Sequence, residues 1–289
     1  MNISRLLSVA PMMERTDRHC RYFFRLLSQQ TLLYSEMINA NAITKGNKTR
    51  LLNFSEIEHP LALQIGGSDP KLLAEATKIG VDWGYDEINL NVGCPSSRVS
   101  SGDFGAVLMK RKDHVAKCVD AMAQFSSNVP ISVKCRIAVD DQDPEKILPS
   151  FIKTVSNSGV SIFIIHARKA ILSGLSPKDN RKIPPIDYNL VKKIKTQFPQ
   201  LEICLNGEIK DLSSVMNFIN DGINGCMIGR EVYKNPSKIL ENADEKIFKK
   251  MDLSGKSKKR TLYEALLKMI PYLESHLQKG GKASSVLRH

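Results

Sequence analysis

The sequence has no long apolar run and little cysteine, and each shortage excludes a class of protein. No stretch in the 289 residues approaches eighteen consecutive apolar residues, so no membrane-spanning helix is predicted. Six cysteines without a C-x-x-C pair are too few for a disulfide scaffold. The six histidines lack metal-ligand spacing, and we predict no metal site. Because the N-terminus lacks a small-residue cleavage site, we expect a cytoplasmic protein.

The composition is that of an ordinary globular protein with an excess of positive charge. Apolar residues make up 42% of the chain and charged residues 25%. The net charge of +12 and the pI of about 9.4 indicate a polyanionic partner. Residues 237–289 contain 12 Lys and Arg against 6 Asp and Glu, which is half of the net charge. This segment is either a solvated tail or a nucleic-acid-binding surface.

Short apolar strands alternate with helical patterns as far as about residue 236. The predicted strands are residues 6–11, 32–37, 61–66, 85–92, 131–137, 161–167, 201–206 and 225–229. The main predicted helices are residues 17–27, 70–79, 113–125, 144–156, 187–198 and 212–219. Eight strands in this alternation predict a (β/α)₈ TIM barrel over residues 1–236, with an open doubly wound sheet as the alternative.

The chain changes character after Pro236. Residues 238–251 and 260–277 have the pattern of basic amphipathic helices, joined by a polar linker at 253–259. We therefore expect a small C-terminal helical domain at residues 237–289, too short to bury much core by itself.

Side-chain alternation predicts which residues face into the barrel. On strand 131–137 the apolar residues share one face, which should meet the helices and leave Lys134 pointing inward. Gln64, Asn91 and His166 fall at the C-terminal ends of other strands. Active sites of this fold lie at that end, so these polar residues are candidates for one.

Two glycine-bearing segments, Asn206-Gly-Glu-Ile and Ile228-Gly-Arg-Glu, follow the seventh and eighth strands. Barrels of this class commonly bind phosphate there through backbone N–H groups and a short helix N-terminus. Gly207 and Gly229 are therefore candidate phosphate contacts, although each alone is equally consistent with a turn glycine. With Lys134 and His166 in the same ring, they suggest a phosphorylated cofactor across the barrel mouth.

A cysteine falls where strand 85–92 must turn, in the segment Gly93-Cys-Pro, and a polar, glycine-bearing loop follows it. One interpretation is a hairpin corner with an incidental cysteine. The other is a reactive thiol, Cys94, held on a mobile loop at the mouth of an enzyme.

Six ordered motifs resemble those of the tRNA-dihydrouridine synthases. They are Val9-Ala-Pro-Met-Met, Gln64-Ile-Gly-Gly, Asn89-Leu-Asn-Val-Gly-Cys-Pro-Ser, Val133-Lys-Cys-Arg, His166-Ala-Arg-Lys-Ala and Ile228-Gly-Arg. The resemblance runs from Ser8 to about Pro236 and looks most like the A subfamily, because of segments such as "LNVGCPSSRV" and "HARKAILSGLSPKDNR". It also implies that the C-terminal domain is incomplete relative to the family.

The resemblance implies an FMN enzyme that is reduced by NADPH and then reduces uridine in the tRNA D-loop, at positions 20 and 20a. The implied FMN contacts are Pro11, Met12 and Met13 along the ring, Gln64, Lys134 and His166 on its polar atoms, and Asn206, Gly207, Glu208, Gly229 and Arg230 at its phosphate. The family usually has glycine where this chain has Glu208. A carboxylate there would repel phosphate unless it points away, so only its backbone N–H is expected to bind.

The resemblance also assigns substrate roles. Asn91 would orient the uracil, and Cys94 would donate a proton to C5 while the reduced flavin adds a hydride to C6. Thiols titrate at about 8.5 and are mostly protonated near neutral pH. The implied tRNA contacts are Arg168, Lys169, Lys178 and Arg181. With the resemblance, we assign the loop of residues 169–182 and the basic domain at 237–289 to tRNA docking, with a merely solvated surface as the alternative. We expect tRNA as partner, no membrane or metal, and a monomer; the alternatives are a flavin barrel acting on a free pyrimidine and a non-catalytic RNA-binding protein.

Overall fold

The computed structural model describes residues 3–249 and 260–289. Nine strands are found in this part of the chain: β1 (Leu7–Val9), β2 (Leu32–Tyr34), β3 (Ile38–Asn39), β4 (Leu61–Gly66), β5 (Glu87–Val92), β6 (Ile131–Arg136), β7 (Ile162–His166), β8 (Glu202–Asn206) and β9 (Gly225–Ile228). All ladders are parallel, and the pairings β1–β9 and β2–β4 close the sheet. Because β3 only pairs with the end of β4, the closed ring has eight strands. The predicted (β/α)₈ barrel is confirmed.

Helices separate most of the strands. They are α1 (Arg18–Leu27), α2 (Ala40–Lys45), α3 (Lys48–Leu52), α4 (Pro70–Asp82), α5 (Ser97–Ser101), α6 (Lys112–Ala123), α7 (Pro144–Ser156), α8 (Tyr188–Gln197), α9 (Leu212–Asn220), α10 (Arg230–Lys234), α11 (Pro236–Leu240), α12 (Ala243–Lys246), α13 (Leu262–Gln278) and α14 (Ala283–Leu287). Aspartates cap several of the longer ones: Asp69 accepts the N–H groups of Lys71 and Leu72, with Pro70 at the first helical position.

The strand predicted at residues 32–37 is wrong in its second half. β2 ends at Tyr34, and the backbone N–H of Gln64 donates instead to the Ser35 hydroxyl at 3.0 Å. Ser35 Oγ in turn donates to Glu36 O at 2.8 Å. A serine side chain has thus replaced a ladder bond, a competition that apolar periodicity does not reveal.

Two apolar clusters fill the molecule. The outward residues of β6 and β7, such as Val133 and Phe163, belong to the large core between strands and helices. The inward residues Ile162 and Ile164 belong to a smaller cluster inside the barrel. This confirms the predicted alternation, since successive side chains of a strand point to opposite faces.

The helix predicted at residues 238–251 is instead two short helices, α11 and α12. Tertiary contacts hold the residues around the break: Glu241 accepts the N–H of Leu262 at 2.6 Å, and Asp244 accepts from the Ser28 hydroxyl at 2.6 Å. Residues 250 and 251 and the predicted linker at 253–259 lie outside the described residues.

Helix α13, which corresponds to the helix predicted at 260–277, packs against α1. The rings of Tyr22 and Tyr272 stack with centroids 4.0 Å apart, and Tyr272 lies 2.7 Å from His19 Nδ1. Within residues 3–249 and 260–289, no helix combines the length and apolar character needed to cross a membrane.

Candidate active site at the carboxyl ends of the strands

A cavity of about 690 Å³ opens at the carboxyl ends of the barrel strands. Fourteen of the predicted site residues line it: Pro11, Met12, Met13, Gln64, Asn91, Cys94, Lys134, His166, Arg181, Asn206, Gly207, Glu208, Gly229 and Arg230. The other three, Arg168, Lys169 and Lys178, lie outside this lining in the described structure. The barrel topology therefore brings together residues that are up to 219 positions apart in sequence.

Lys134 lies on the inward face of β6. Its ammonium donates to Asn206 Oδ1 at 3.0 Å, and Asn206 Nδ2 donates to the carbonyl of Met227 at 2.7 Å. Within the described residues, this leaves two of the three Lys134 N–H groups available to a ligand. Burial, with added repulsion from Arg136, lowers the pKa of Lys134 to about 8.

Cys94 sits on the turn that follows β5. The Asn91 side chain accepts the N–H groups of Gly93 and Cys94 at 3.1 and 3.0 Å, and the Cys94 carbonyl accepts from the N–H of Ala106 at 2.9 Å. Arg136 Nε donates to the Gly93 carbonyl at 3.1 Å. The chain then enters α5 and not an antiparallel strand, so the hairpin-corner interpretation is wrong.

Cys94 also differs from the other cysteines in its environment. All six cysteines are free and lie within the described residues, and Cys94 alone among them is partly exposed. Burial raises the pKa of the Cys118, Cys135 and Cys226 thiols to about 12, which makes them poor nucleophiles. The accessible thiol is thus the one at the cavity.

The segment of residues 169–182, here called the 169–182 loop, forms one rim of the cavity, and buried arginines hold it. Arg136 donates to the carbonyls of Lys169 and Asn180, each at 3.1 Å. Arg168, only 4% exposed, donates to the carbonyls of Lys182 and Pro184. Arg168 therefore shapes this loop from beneath, whereas Lys178 is exposed at its surface.

Glu208 does not present a free carboxylate to the cavity. Its Oε1 lies 2.8 Å from the Arg168 guanidinium and 3.9 Å from that of Arg230. The residue adopts a left-handed backbone conformation, with φ at 51°. This conformation costs glycine less free energy than it costs a residue with a Cβ atom. The neighbouring Gly207 has φ at 126°, and a Cβ there would lie 2.9 Å from Ile186 and 3.0 Å from His166.

The electrostatic character of the cavity is cationic. Burial, followed by the charges of Arg136 and Lys134, holds the pKa of His166 well below its usual range, so the imidazole is neutral. Arg181 Nε is buried and has no hydrogen-bond partner among the described residues. A buried donor without a partner indicates room for an acceptor, and the surrounding charges favour an anion.

Several lining residues were not predicted from the sequence. They are Ala10, Arg15, Met37, Gly93, Pro95, Ser96, Arg136, Ile209, Lys210, Met227, Ile228, Glu231 and Lys234. Pro177 and Lys182 also line the cavity and belong to the loop assigned from the sequence to tRNA docking. Arg136 could have been found, because it shares the inward face of β6 with Lys134. The lysines and Arg15 lie on loops and short helices, where no periodic pattern marks them. In the described ranges, no group of three or more His, Cys, Asp or Glu residues is placed to hold a metal ion.

Comparison with known proteins gives concordant results. The family model described as "Dihydrouridine synthase (Dus)" matches residues 8–289. A Synechocystis protein named tRNA-dihydrouridine(20/20a) synthase is 49% identical over 98% of this chain and 82% of its own length. A protein of the same name from Escherichia coli K12 is 50% identical over 98% of this chain and 79% of its own length. Among solved structures, morphinone reductase has a TM-score of 0.60 at 11% identity, covering 90% of this chain and 91% of that chain, which shows a shared fold.

Proposed function

This chain belongs to the dihydrouridine synthase family, and from this premise we propose that it reduces uridine to 5,6-dihydrouridine at positions 20 and 20a of the tRNA D-loop. Relatives of that name, about half identical over nearly the whole chain, support the choice of substrate. The observation that carries the proposal is one accessible thiol, Cys94, on the rim of a cationic cavity.

We propose FMN as the cofactor, because the residues present suit it. FMN is anionic and carries carbonyl groups, so it needs hydrogen-bond donors. The cavity offers them at Arg181 Nε, which has no partner among the described residues, and at the two unused N–H groups of Lys134. The neutral imidazole of His166 adds a dipole. Pro11, Met12 and Met13 supply an apolar wall for a flat ring. The residues that would hold it are Gln64, Lys134 and His166 on its ring and chain, and Asn206, Gly207, Glu208 (by its backbone), Gly229 and Arg230 at the phosphate.

When bound and reduced by NADPH, FMN supplies a hydride for C6 of the uracil. Asn91 orients the base, and Cys94 delivers a proton to C5, leaving a thiolate. Arg136 lies beside this turn, with its Nε donating to the Gly93 carbonyl at 3.1 Å, and its positive charge would favour the thiolate. Water or bulk acid must reprotonate the thiol before the next turnover.

The substrate base must leave its stack to enter the cavity. We propose that basic residues at the cavity mouth (Arg15, Arg181, Lys182, Lys210 and Lys234) and exposed Lys178 bind phosphates of the surrounding RNA. Residues 237–289 carry an excess of positive charge and would bind further phosphates of the tRNA. The buried Arg168 would contribute only indirectly, by holding the 169–182 loop.

The proposed function is tested by supplying the purified protein with FMN, NADPH and unmodified tRNA. We expect dihydrouridine at positions 20 and 20a, and no reduction of free uridine or dehydrogenation of dihydroorotate. Turnover of either free pyrimidine without tRNA would instead support a small-molecule flavin enzyme. Binding of tRNA by a protein that cannot be reconstituted with FMN would support a non-catalytic RNA-binding protein.

Replacing Glu208 with glycine is expected to tighten FMN binding by roughly threefold to tenfold. The substitution releases Arg168 and Arg230 from the carboxylate and suits the left-handed backbone. Flavin fluorescence titration measures the Kd. Riboflavin, which lacks the phosphate, should bind wild type and variant equally well.

Glu14 offers a matched control, since its φ is 60° and it lies outside the cavity lining. Glu14→Gly should leave FMN affinity unchanged. The proposal would be contradicted if Glu208→Gly tightened riboflavin binding as much as FMN binding. It would also be contradicted if Glu14→Gly tightened FMN binding to the same extent. Either result would show that Glu208 does not act at the phosphate end of the cavity.

A further inference from the structure

A chain of buried polar side chains crosses the barrel interior beneath the cavity. At its base, Glu87 Oε2 accepts from Arg5 Nε at 2.7 Å. Glu87 Oε1 accepts from the Tyr34 hydroxyl at 2.6 Å and from the Ser132 hydroxyl. Ser132 Oγ accepts from Asn89 Nδ2 at 2.7 Å. Glu87, Asn89 and Ser132 are each 0% exposed, so none of them reaches solvent.

The chain continues upward through two amides that line the cavity. Gln64 Nε2 donates to Asn89 Oδ1, and Asn91 Nδ2 donates to Gln64 Oε1, both at 2.7 Å. Asn91 Oδ1 accepts the N–H groups of Gly93 and Cys94. The network therefore runs without a gap from the base of the barrel to the turn that carries the thiol.

Every bond in this network points the same way. Because a carboxylate only accepts, the Ser132 hydroxyl must donate to Glu87 and accept from Asn89. The Asn89 oxygen then faces Gln64, and the Gln64 oxygen faces Asn91. An amide has nearly the same shape either way round, so this hydrogen-bond polarity, not packing, selects its orientation.

We propose that Glu87 and Asn89 are positioning residues for the reaction, although neither lines the cavity. They hold the amides of Gln64 and Asn91 so that each has one N–H left to donate to a carbonyl of a bound ring. They also fix the position of Asn91 Oδ1, which accepts the backbone N–H groups of Gly93 and Cys94 in the turn. What Gln64 and Asn91 contact rests on the proposed function, whereas the polarity of the network does not.

Moving the carboxylate tests the polarity. Gln64→Glu places an acceptor against Asn89 Oδ1 while Glu87 prevents the network from reversing, so we expect a marked loss of Tm. Adding Glu87→Gln provides a donor for Ser132, which allows the bonds between positions 87 and 64 to reverse. Glu87→Gln alone also breaks the buried ion pair with Arg5, so the double variant should lose clearly less Tm than the two single losses added together. In the structure, Asn89 and Ser132 link the side chains of Gln64 and Glu87. If the Tm changes of the two single variants simply added up in the double variant, the inference would be overturned.

Asn89→Leu tests the effect on the site. It removes the partner of Gln64 at nearly constant volume, and we expect kcat to fall roughly tenfold while KM for tRNA changes less than about twofold. The rate of Cys94 alkylation by iodoacetamide should rise severalfold, and the five buried cysteines should not interfere. Leu90→Ala is the control, since Leu90 is equally buried but faces outward into the main core.

Leu90→Ala should lower Tm at least as much yet leave kcat and the alkylation rate near wild type. If Asn89→Leu behaves like Leu90→Ala, Asn89 only fills the barrel and the inference fails. If wild type does not reduce tRNA, the proposed function fails instead, and the Tm cycle and alkylation rates still decide the role of this network.

Discussion

Replacing Cys94 with alanine is expected to lower the rate of uridine reduction by roughly 10²- to 10⁴-fold, the range for loss of a general acid, while FMN stays bound. The turn should keep its shape, because its contacts to Asn91 and Ala106 use the Cys94 backbone and not the thiol. The decisive measurement is a single turnover: the enzyme is reduced in advance, mixed with tRNA, and followed by flavin reoxidation. This isolates the proton-dependent step from reduction by NADPH.

Cys118→Ala is the matched control for removal of a thiol. Cys118 is buried away from the cavity, with its sulfur 3.4 Å from the Ser68 carbonyl. Its replacement should leave the single-turnover rate near wild type at a small cost in Tm. Reoxidation of the Cys94→Ala enzyme by tRNA at the wild-type rate would show that the proton comes from another group.

Local sequence signals were sufficient for most of the barrel. Strand β4 and helix α7 have the predicted bounds, because apolar runs, aspartate caps and proline at the first helical turn act over a few residues. The error at residues 35–37 came from the Ser35 hydroxyl, just past the end of β2, which binds an N–H of β4. Such contacts depend on the closed barrel, and periodicity carries no information about them.

Some features of the candidate site could also be predicted from local sequence, and others could not. Lys134 was predicted to face inward from alternation alone, and it lines the cavity. The RNA contact of Arg168 stays a prediction, whereas its burial and its bond to the Lys182 carbonyl were not foreseen. The pairing of Glu87 with Arg5, 82 residues away, also required the fold. Residues placed by their own strand were predictable, whereas those placed by a partner far away in sequence were not.

Replacing Lys134 with methionine is expected to stabilise the ligand-free protein and to weaken FMN binding at the same time. Burial lowers the pKa of Lys134 to about 8, so at neutral pH the folded state holds an ammonium group that its surroundings disfavour. Methionine fills similar volume without charge. We expect Tm to rise by a few degrees and the Kd for FMN to rise roughly tenfold or more, as for the loss of one charge-assisted hydrogen bond.

The pH dependence has a definite sign. Between pH of about 8 and 10.5, the unfolded state keeps the proton on Lys134 and the folded state loses it, so this residue makes the ligand-free protein more stable as pH rises through that window. FMN affinity should fall above pH 8 as the ammonium is lost. Lys134→Met should flatten both profiles, and Lys153→Met, at an exposed position on α7, should change neither. A Lys134→Met protein with lowered Tm and unchanged FMN affinity would mean that the ammonium stabilises the barrel and does not serve the cofactor.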